Sequence, residues 1–155
     1  MKVVSKHPTA LRDYIIEERF EAGLVLKGSE VKSLRNGSAS IKESFGLVRD
    51  GEVFLLNSYI APYTAANVFN HETKRDRKLL LNRREINKLI GKINMKGYTL
   101  VPLKIYFTKG KAKLELALAK GKKRHDKRED IKRQEAKRDM EKAIKVNRNR
   151  SLKGR

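Results

Sequence analysis

The chain is predicted to be mainly β, with short helices. It reads as a small closed barrel of the Greek-key, oligonucleotide-binding (OB) type followed by a basic tail. Three observations lead there. Between residues 12 and 119, short runs of alternating apolar residues recur between turn signals, and a single clean helical face interrupts them late. Helices do not alternate with strands, which disfavours a parallel α/β sheet. Residues 120–155 hold 16 Lys/Arg against 6 Asp/Glu and no aromatic residue, the last being Phe107. The expected organisation is an N-terminal extension over 1–11, a barrel over 12–119 and a tail over 120–155.

In order, Tyr14, Ile16 and Phe20 fall at even positions, with Glu18 breaking the alternation, and predict a long strand from Tyr14 to Leu26 bent around Ala22-Gly23. Val31 and Leu34, with Ser29 able to cap and Gly37 able to stop, predict one short helix. Asp50-Gly51 is a hairpin signal between strands near Ile41 to Val48 and Val53 to Ser58. Ile60 to Lys78, with Pro62 and a polar run from Asn70, predicts a long exposed loop. Leu79-Leu80-Leu81 returns to the core as a short strand or a helix lead-in. Asn82-Arg83-Arg84-Glu85 has capping-box form, and Ile86, Leu89, Ile90 and Ile93 set a helix that Gly97 ends. Tyr98 to Phe107 predicts a strand that admits Pro102 only at an edge or a bulge. Alternation of Ala112, Leu114, Leu116 and Leu118 predicts a last, half-buried strand.

Charge narrows the function classes. The 155 residues carry a net charge of +20, half of it in the tail, and the sequence pI is about 10.3. A tail so polar cannot bury enough apolar surface to order itself. It is expected to be disordered when free and helical when bound, and its charge selects a polyanion. Glu129 with Arg133 and Glu141 with Lys145 stand at the favourable helical spacing. No Cys is present, which removes disulfides and thiolate metal sites and fits a reducing cytoplasm. Met1 to Pro8 holds no apolar stretch of signal-peptide length, and no run approaches the ~20 apolar residues of a membrane span.

Catalytic patterns are poor. His71-Glu72 lacks the second His of a zincin motif, and neither a phosphate-binding loop nor a dinucleotide fingerprint occurs. Glu17 and Glu18, adjacent on a strand, are expected on opposite faces. No catalytic residue, metal or cofactor is expected. A nuclease would need a carboxylate cluster to hold a metal, and a membrane-surface helix would need large apolar residues that the tail lacks. A ribosomal protein or general single-strand binder remains an alternative.

Several residues have both a plain and a functional reading. Lys74-Arg75-Asp76-Arg77-Lys78 is a solvated loop or a phosphate-binding patch. Glu21 is a strand carboxylate paired with a nearby cation, or an acceptor that reads base or ribose donors where cations cannot discriminate. Asn82 caps a helix and can serve a second role. His125, in Lys122-Lys123-Arg124-His125-Asp126-Lys127-Arg128, is part of a charge run or a ring able to stack on a base.

Five stretches, in order, resemble the small protein B family. They are Asp13-Tyr14-Ile15-Ile16-Glu17-Glu18-Arg19-Phe20-Glu21-Ala22-Gly23-Leu24-Val25-Leu26, then Gly28-Ser29-Glu30-Val31-Lys32-Ser33-Leu34-Arg35, then Arg77-Lys78-Leu79-Leu80-Leu81-Asn82. Leu100-Val101-Pro102-Leu103-Lys104 and Leu118-Ala119-Lys120-Gly121-Lys122-Lys123-Arg124-His125-Asp126-Lys127-Arg128 complete the set. The resemblance covers Arg12 to about Lys145.

It implies a barrel that binds the tRNA-like domain of transfer-messenger RNA (SsrA RNA) in bacterial ribosome rescue. Tyr14, Glu21, Leu80 and Asn82 match positions the family uses at that surface. Lys78, Lys120, Lys122 and Lys123 lie in the matching stretches and are counted with them. The resemblance also implies a tail in the decoding centre of the 70S ribosome, against 16S rRNA and the empty mRNA channel, with His125, Asp126, Lys127 and Arg128 at the centre. Elongation factor Tu is implied as escort, and a cytoplasmic monomer is expected.

Overall fold

The computed structural model describes residues 1–64, 70–122, 135–140 and 142. Two compact units are present, Met1–Gly121 and Lys122–Arg155. In the second, residues 135–140 and 142 are helical, and all seven are exposed.

The first unit runs β1 (Lys2–Lys6), α1 (Ala10–Asp13), β2 (Tyr14–Leu24), α2 (Gly28–Arg35), β3 (Ala39–Ser40), β4 (Phe45–Arg49) and β5 (Glu52–Leu56). β6 (Tyr59–Ile60), β7 (Arg77–Leu80), α3 (Arg83–Ile93), β8 (Tyr98–Thr108) and β9 (Lys111–Gly121) follow. The large sheet has the order β1-β8-β4-β5-β7-β2-β9, and β8 also pairs with β9. That second pairing closes six strands into a ring, the expected mainly β barrel with short helices. β4, β5 and β7 form a meander, α3 follows, and β8–β9 return as a hairpin. β2 stands between β7 and β9 as an added stave.

Local chemistry explains the geometry. Asp50 and Gly51 both take positive φ, 52° and 74°, as the two central residues of a type I′ hairpin require. Pro102 sits at a register shift in the β8–β9 ladder between Pro102 and Lys104, so its missing N–H falls at a bulge. Leu24, Leu34, Val53, Leu55, Leu79, Leu100, Leu114, Leu116 and Leu118 fill the barrel, and Ile86 and Leu89 of α3 pack onto them. A smaller apolar cluster, Ala10, Val101 and Ala119, lies under α1. It explains why Leu116 to Ala119 are all buried where a half-buried strand is expected: the outer face of β9 is covered as well.

β4 meets β8 through the single register pair Gly46–Leu100. A Cβ on Gly46 would stand 2.6 Å from the Leu100 Cβ and 3.4 Å from Leu116 Cδ1. The Leu100 Cβ is fixed by its backbone, so that contact cannot relax by a rotamer change. Gly46→Ala should therefore destabilise by about 1–3 kcal/mol, read as a lower urea midpoint with an unchanged slope.

Within residues 1–11, β1 pairs with β8 from Lys2–Phe107 to Lys6–Lys104 and α1 begins at Ala10. Three expectations are corrected. The strand expected from Ile41 starts at Phe45, because Ser44 turns back onto Ile41 O with its N–H at 3.1 Å and its hydroxyl at 2.7 Å. β2 ends at Leu24, where the Val25 N–H donates to Lys78 O.

The third concerns the stretch from Ile60 to Lys78, which is not an exposed loop throughout. Arg77 is 0% exposed and His71 is buried. Glu30 of α2, also 0% exposed, accepts from Arg77 Nε at 2.5 Å, Arg75 Nη2 at 2.6 Å and the Lys27 N–H at 2.8 Å. Arg77 further donates to Ser58 O, Ser58 Oγ and Thr73 O at 2.9, 2.8 and 3.2 Å. The fork geometry of guanidinium serves several acceptors at once, which is why Arg and not Lys can hold this segment. Ile60 O only accepts, so His71 Nε2 donates to it at 3.0 Å, and in the neutral ring Nδ1 accepts from the Ser29 hydroxyl at 2.8 Å.

Candidate nucleic-acid interface

The residues singled out by sequence divide into two groups on the barrel. Glu21, Leu80 and Asn82 line one open cleft of about 250 Å³ together with Gly23, Leu81, Glu85 and Lys113. β2 and β7 make the juxtaposition, because Gly23 is the register partner of Leu80. A Cβ at position 23 would meet the Leu80 Cβ at 3.2 Å, so any larger residue would push Leu80 aside by a few tenths of an ångström. Leu80 is left 53% exposed on the rim, an apolar surface of the kind that can pack against a ribose or a base. Asn82 stands at the N-cap of α3, and its backbone N–H donates to Glu85 Oε1 at 3.1 Å, as the capping box predicts.

Glu21 accepts from the Tyr106 hydroxyl at 2.5 Å. Burial first, then the Glu21 carboxylate, holds the Tyr106 phenol well above its ordinary range, so it is a neutral donor at any working pH. Glu21 also borders a second cleft, of about 390 Å³, lined by Thr108, Lys109, Lys111 and Lys113 of the β8–β9 hairpin. Apolar surface, a carboxylate and three ammonium groups thus share one face.

Tyr14 and Lys120 sit elsewhere. In the β2–β9 ladder Tyr14 faces Gly121 and Ile15 faces Lys120, whereas Glu21 faces Glu115. At ~3.3 Å per residue, Tyr14 is roughly 20 Å along the strand from Glu21. The Tyr14 ring meets His7 edge-on at 6.5 Å, and Lys120 Nζ lies 4.7 Å from the centre of the Tyr98 ring. Lys78 is drawn toward Glu52 at 3.9 Å, on the β5 side. Lys122 is described without regular structure, while Lys123, His125, Asp126, Lys127 and Arg128 lie outside the described residues.

Glu17 and Glu18 depart from their expectation. A bulge between Ile16 and Glu18 breaks the alternation, and both carboxylates reach lysines of α3, Glu18 to Lys88 at 2.7 Å and Glu17 to Lys92 at 3.7 Å. They tie the helix to the barrel. Among the described residues, no group of three or more His, Cys, Asp or Glu is placed to hold a metal, and no helix is long and apolar enough to cross a membrane.

Sequence reasoning missed Tyr106 and Lys113. Tyr106 reads as one more residue of an apolar strand, and only the pairing of Tyr106 with Lys113 and of Lys113 with Gly23 brings both beside Glu21.

The family model described as SmpB protein matches residues 4–146. The chain belongs to the SmpB family. Among SmpB relatives, the SsrA-binding protein of Geobacillus thermodenitrificans (strain NG80-2) is 58% identical over 143 residues, covering 92% of both chains. That of Geobacter metallireducens is 57% identical over 143 residues, covering 92% of this chain and 94% of the other. A chain from the solved structure "tmRNA-SmpB: a journey to the center of the bacterial ribosome" is similar with a TM-score of 0.65 and 48% identity, covering 81% of this chain and 92% of that one.

Proposed function

We propose that this chain binds the tRNA-like domain of transfer-messenger RNA and carries it to stalled bacterial ribosomes. The observation that carries the reading is the single cleft shared by Glu21, Leu80 and Asn82, beside the lysines of the β8–β9 hairpin. A phosphate grip alone needs only cations. A carboxylate and an exposed leucine among them suit a surface that reads ribose, base edge and backbone together. Membership of the SmpB family and the names of the relatives supply the RNA.

The tail acts at the ribosome. His125, Asp126, Lys127 and Arg128 meet 16S rRNA at the decoding centre of the 70S particle, and the residues beyond enter the vacant mRNA channel. Tyr14, Lys78, Lys120, Lys122 and Lys123 contribute phosphate or ribose contacts outside the central cleft. The protein is a cytoplasmic monomer and an RNA-binding factor without catalysis of its own, and elongation factor Tu escorts the complex.

The test is to recover the protein from lysate, sequence the bound RNA, and then titrate a tRNA-like fragment against an unrelated RNA at matched salt. Transfer-messenger RNA should dominate the recovered RNA. Equal affinity for both RNAs would leave a general RNA binder instead. Glu21→Ala should weaken the tRNA-like complex about tenfold or more, as loss of a hydrogen bond to a charged group does, although it makes the protein more basic. Asn82→Ala should act in the same direction. Its melting curve must accompany the titration, because loss of the cap alone costs ~1 kcal/mol.

A further inference from the structure

We propose that Tyr106 is a positioning residue for RNA recognition, its hydroxyl fixing the Glu21 carboxylate so that the remaining lone pairs face the bound RNA. This rests on the reading of Glu21 as an RNA-facing acceptor.

The ladder explains why such a device is needed. Glu21 and Glu115 are register partners on β2 and β9, two like charges directly opposite each other. Cations on the same face settle on one of them. Arg19 Nη1 reaches Glu115 at 3.2 Å and Lys104 Nζ reaches it at 3.3 Å. Among the described residues Glu21 makes no ion pair, and its partner is the neutral phenol at 2.5 Å.

An ionised carboxylate offers about four lone-pair sites. Tyr106 occupies one, and a bidentate arginine would occupy two and cancel the charge. The phenol therefore orders Glu21 while sparing its capacity to accept N–H, NH2 or 2′-OH groups from a ligand. Tyr106 itself is 5% exposed and packed in β8, so it acts through Glu21 and not by touching RNA broadly. A free glutamate on a strand would have to be ordered at the moment of binding, and the phenol meets that cost in advance.

The experiment is a double-mutant cycle on the full chain with a fluorescent tRNA-like fragment, using Tyr106→Phe, Glu21→Ala and the pair. Tyr106→Phe removes one oxygen and keeps the ring's packing. Titrations are run below the lowest melting midpoint of the four proteins. Tyr106→Phe should weaken binding about fivefold. In the Glu21→Ala background the same change should move affinity by less than about twofold. The slope of log affinity against log salt should be unchanged by Tyr106→Phe, because no phosphate contact is lost. Unchanged affinity in Tyr106→Phe, or an equal loss with and without Glu21, would overturn the positioning role while leaving the cleft intact. If Glu21→Ala alone binds as well as the parent, the reading of the cleft fails and this inference falls with it.

Discussion

Glu30→Ala should lower the stability of the protein by about 3–5 kcal/mol, the loss typical when one partner of a buried ion pair is removed. Arg77 would remain fully buried with its strongest acceptor gone, and Arg75 would lose its carboxylate. The damage should spread, because Arg77 also holds Ser58, Thr73 and Glu72 O, and so the crossing from β6 to β7. Urea unfolding followed by far-UV circular dichroism measures it. A midpoint within error of the parent would mean that the cluster relaxes without cost.

Acid adds an independent check. Burial alone would raise the Glu30 carboxyl; the hydrogen bonds from Arg75, the Lys27 N–H and Arg77 outweigh it and hold the group below its ordinary 4.5. A carboxyl lower in the folded than in the unfolded chain stabilises fully above the unfolded value, and that stabilisation is lost as pH falls through the folded one. Stability should therefore drop on acidification below the ordinary carboxylate range. Glu30→Gln should drop less steeply over the same window.

Deleting residues 122–155 should leave tRNA-like RNA bound but abolish rescue of stalled ribosomes, read as tagging of the nascent peptide. The cut belongs after Gly121, since Lys120 and Gly121 still pair with Ile15 and Tyr14 in the β2–β9 ladder. The deletion removes 15 Lys/Arg against 6 Asp/Glu, so some general attraction for RNA goes with it. Selectivity for the tRNA-like fragment over unrelated RNA should persist, because the cleft around Glu21 is built wholly from the barrel. His125→Ala should impair tagging more than a single nearby Lys→Ala, as an imidazole offers a stacking ring where lysine offers mainly charge. Tagging by the truncated protein at the parent's rate would sink the division of labour between barrel and tail.

What sequence could and could not reveal follows from how far apart the partners lie. The Asp50-Gly51 hairpin, the Asn82–Glu85 cap and the apolar face of α3 are local, and each appears where the pattern puts it. Pro102 limited its strand position to an edge or a bulge, because one missing N–H is a local fact with a geometric consequence, and the β8–β9 ladder has the bulge. Glu30 and Arg77 are 47 positions apart, so nothing in the run Lys74 to Lys78 distinguishes the buried arginine from its solvated neighbours. The same holds for Tyr106 and Glu21, 85 positions apart. The pair Leu80 and Asn82 was legible as part of a motif, but that Glu21 joins them depends on the crossing of β2 and β7 at Gly23. Tyr14, matched to the same surface by resemblance, lies at the other end of β2.

The pairing of β2 with β9 also sets a timetable for synthesis. β2 is complete at Leu24, yet its long partner begins only at Lys111. Until β7 is made at residue 77 both edges of this eleven-residue strand lack a partner, one stays unmatched until β9, and β8, made at residues 98–108, waits for the same partner. Long-range closure of this kind is slow, and an open strand edge is a template for wrong pairings. A chain interrupted before residue 111 therefore lacks β9 altogether and leaves the edges of β2 and β8 that β9 covers open to other strands.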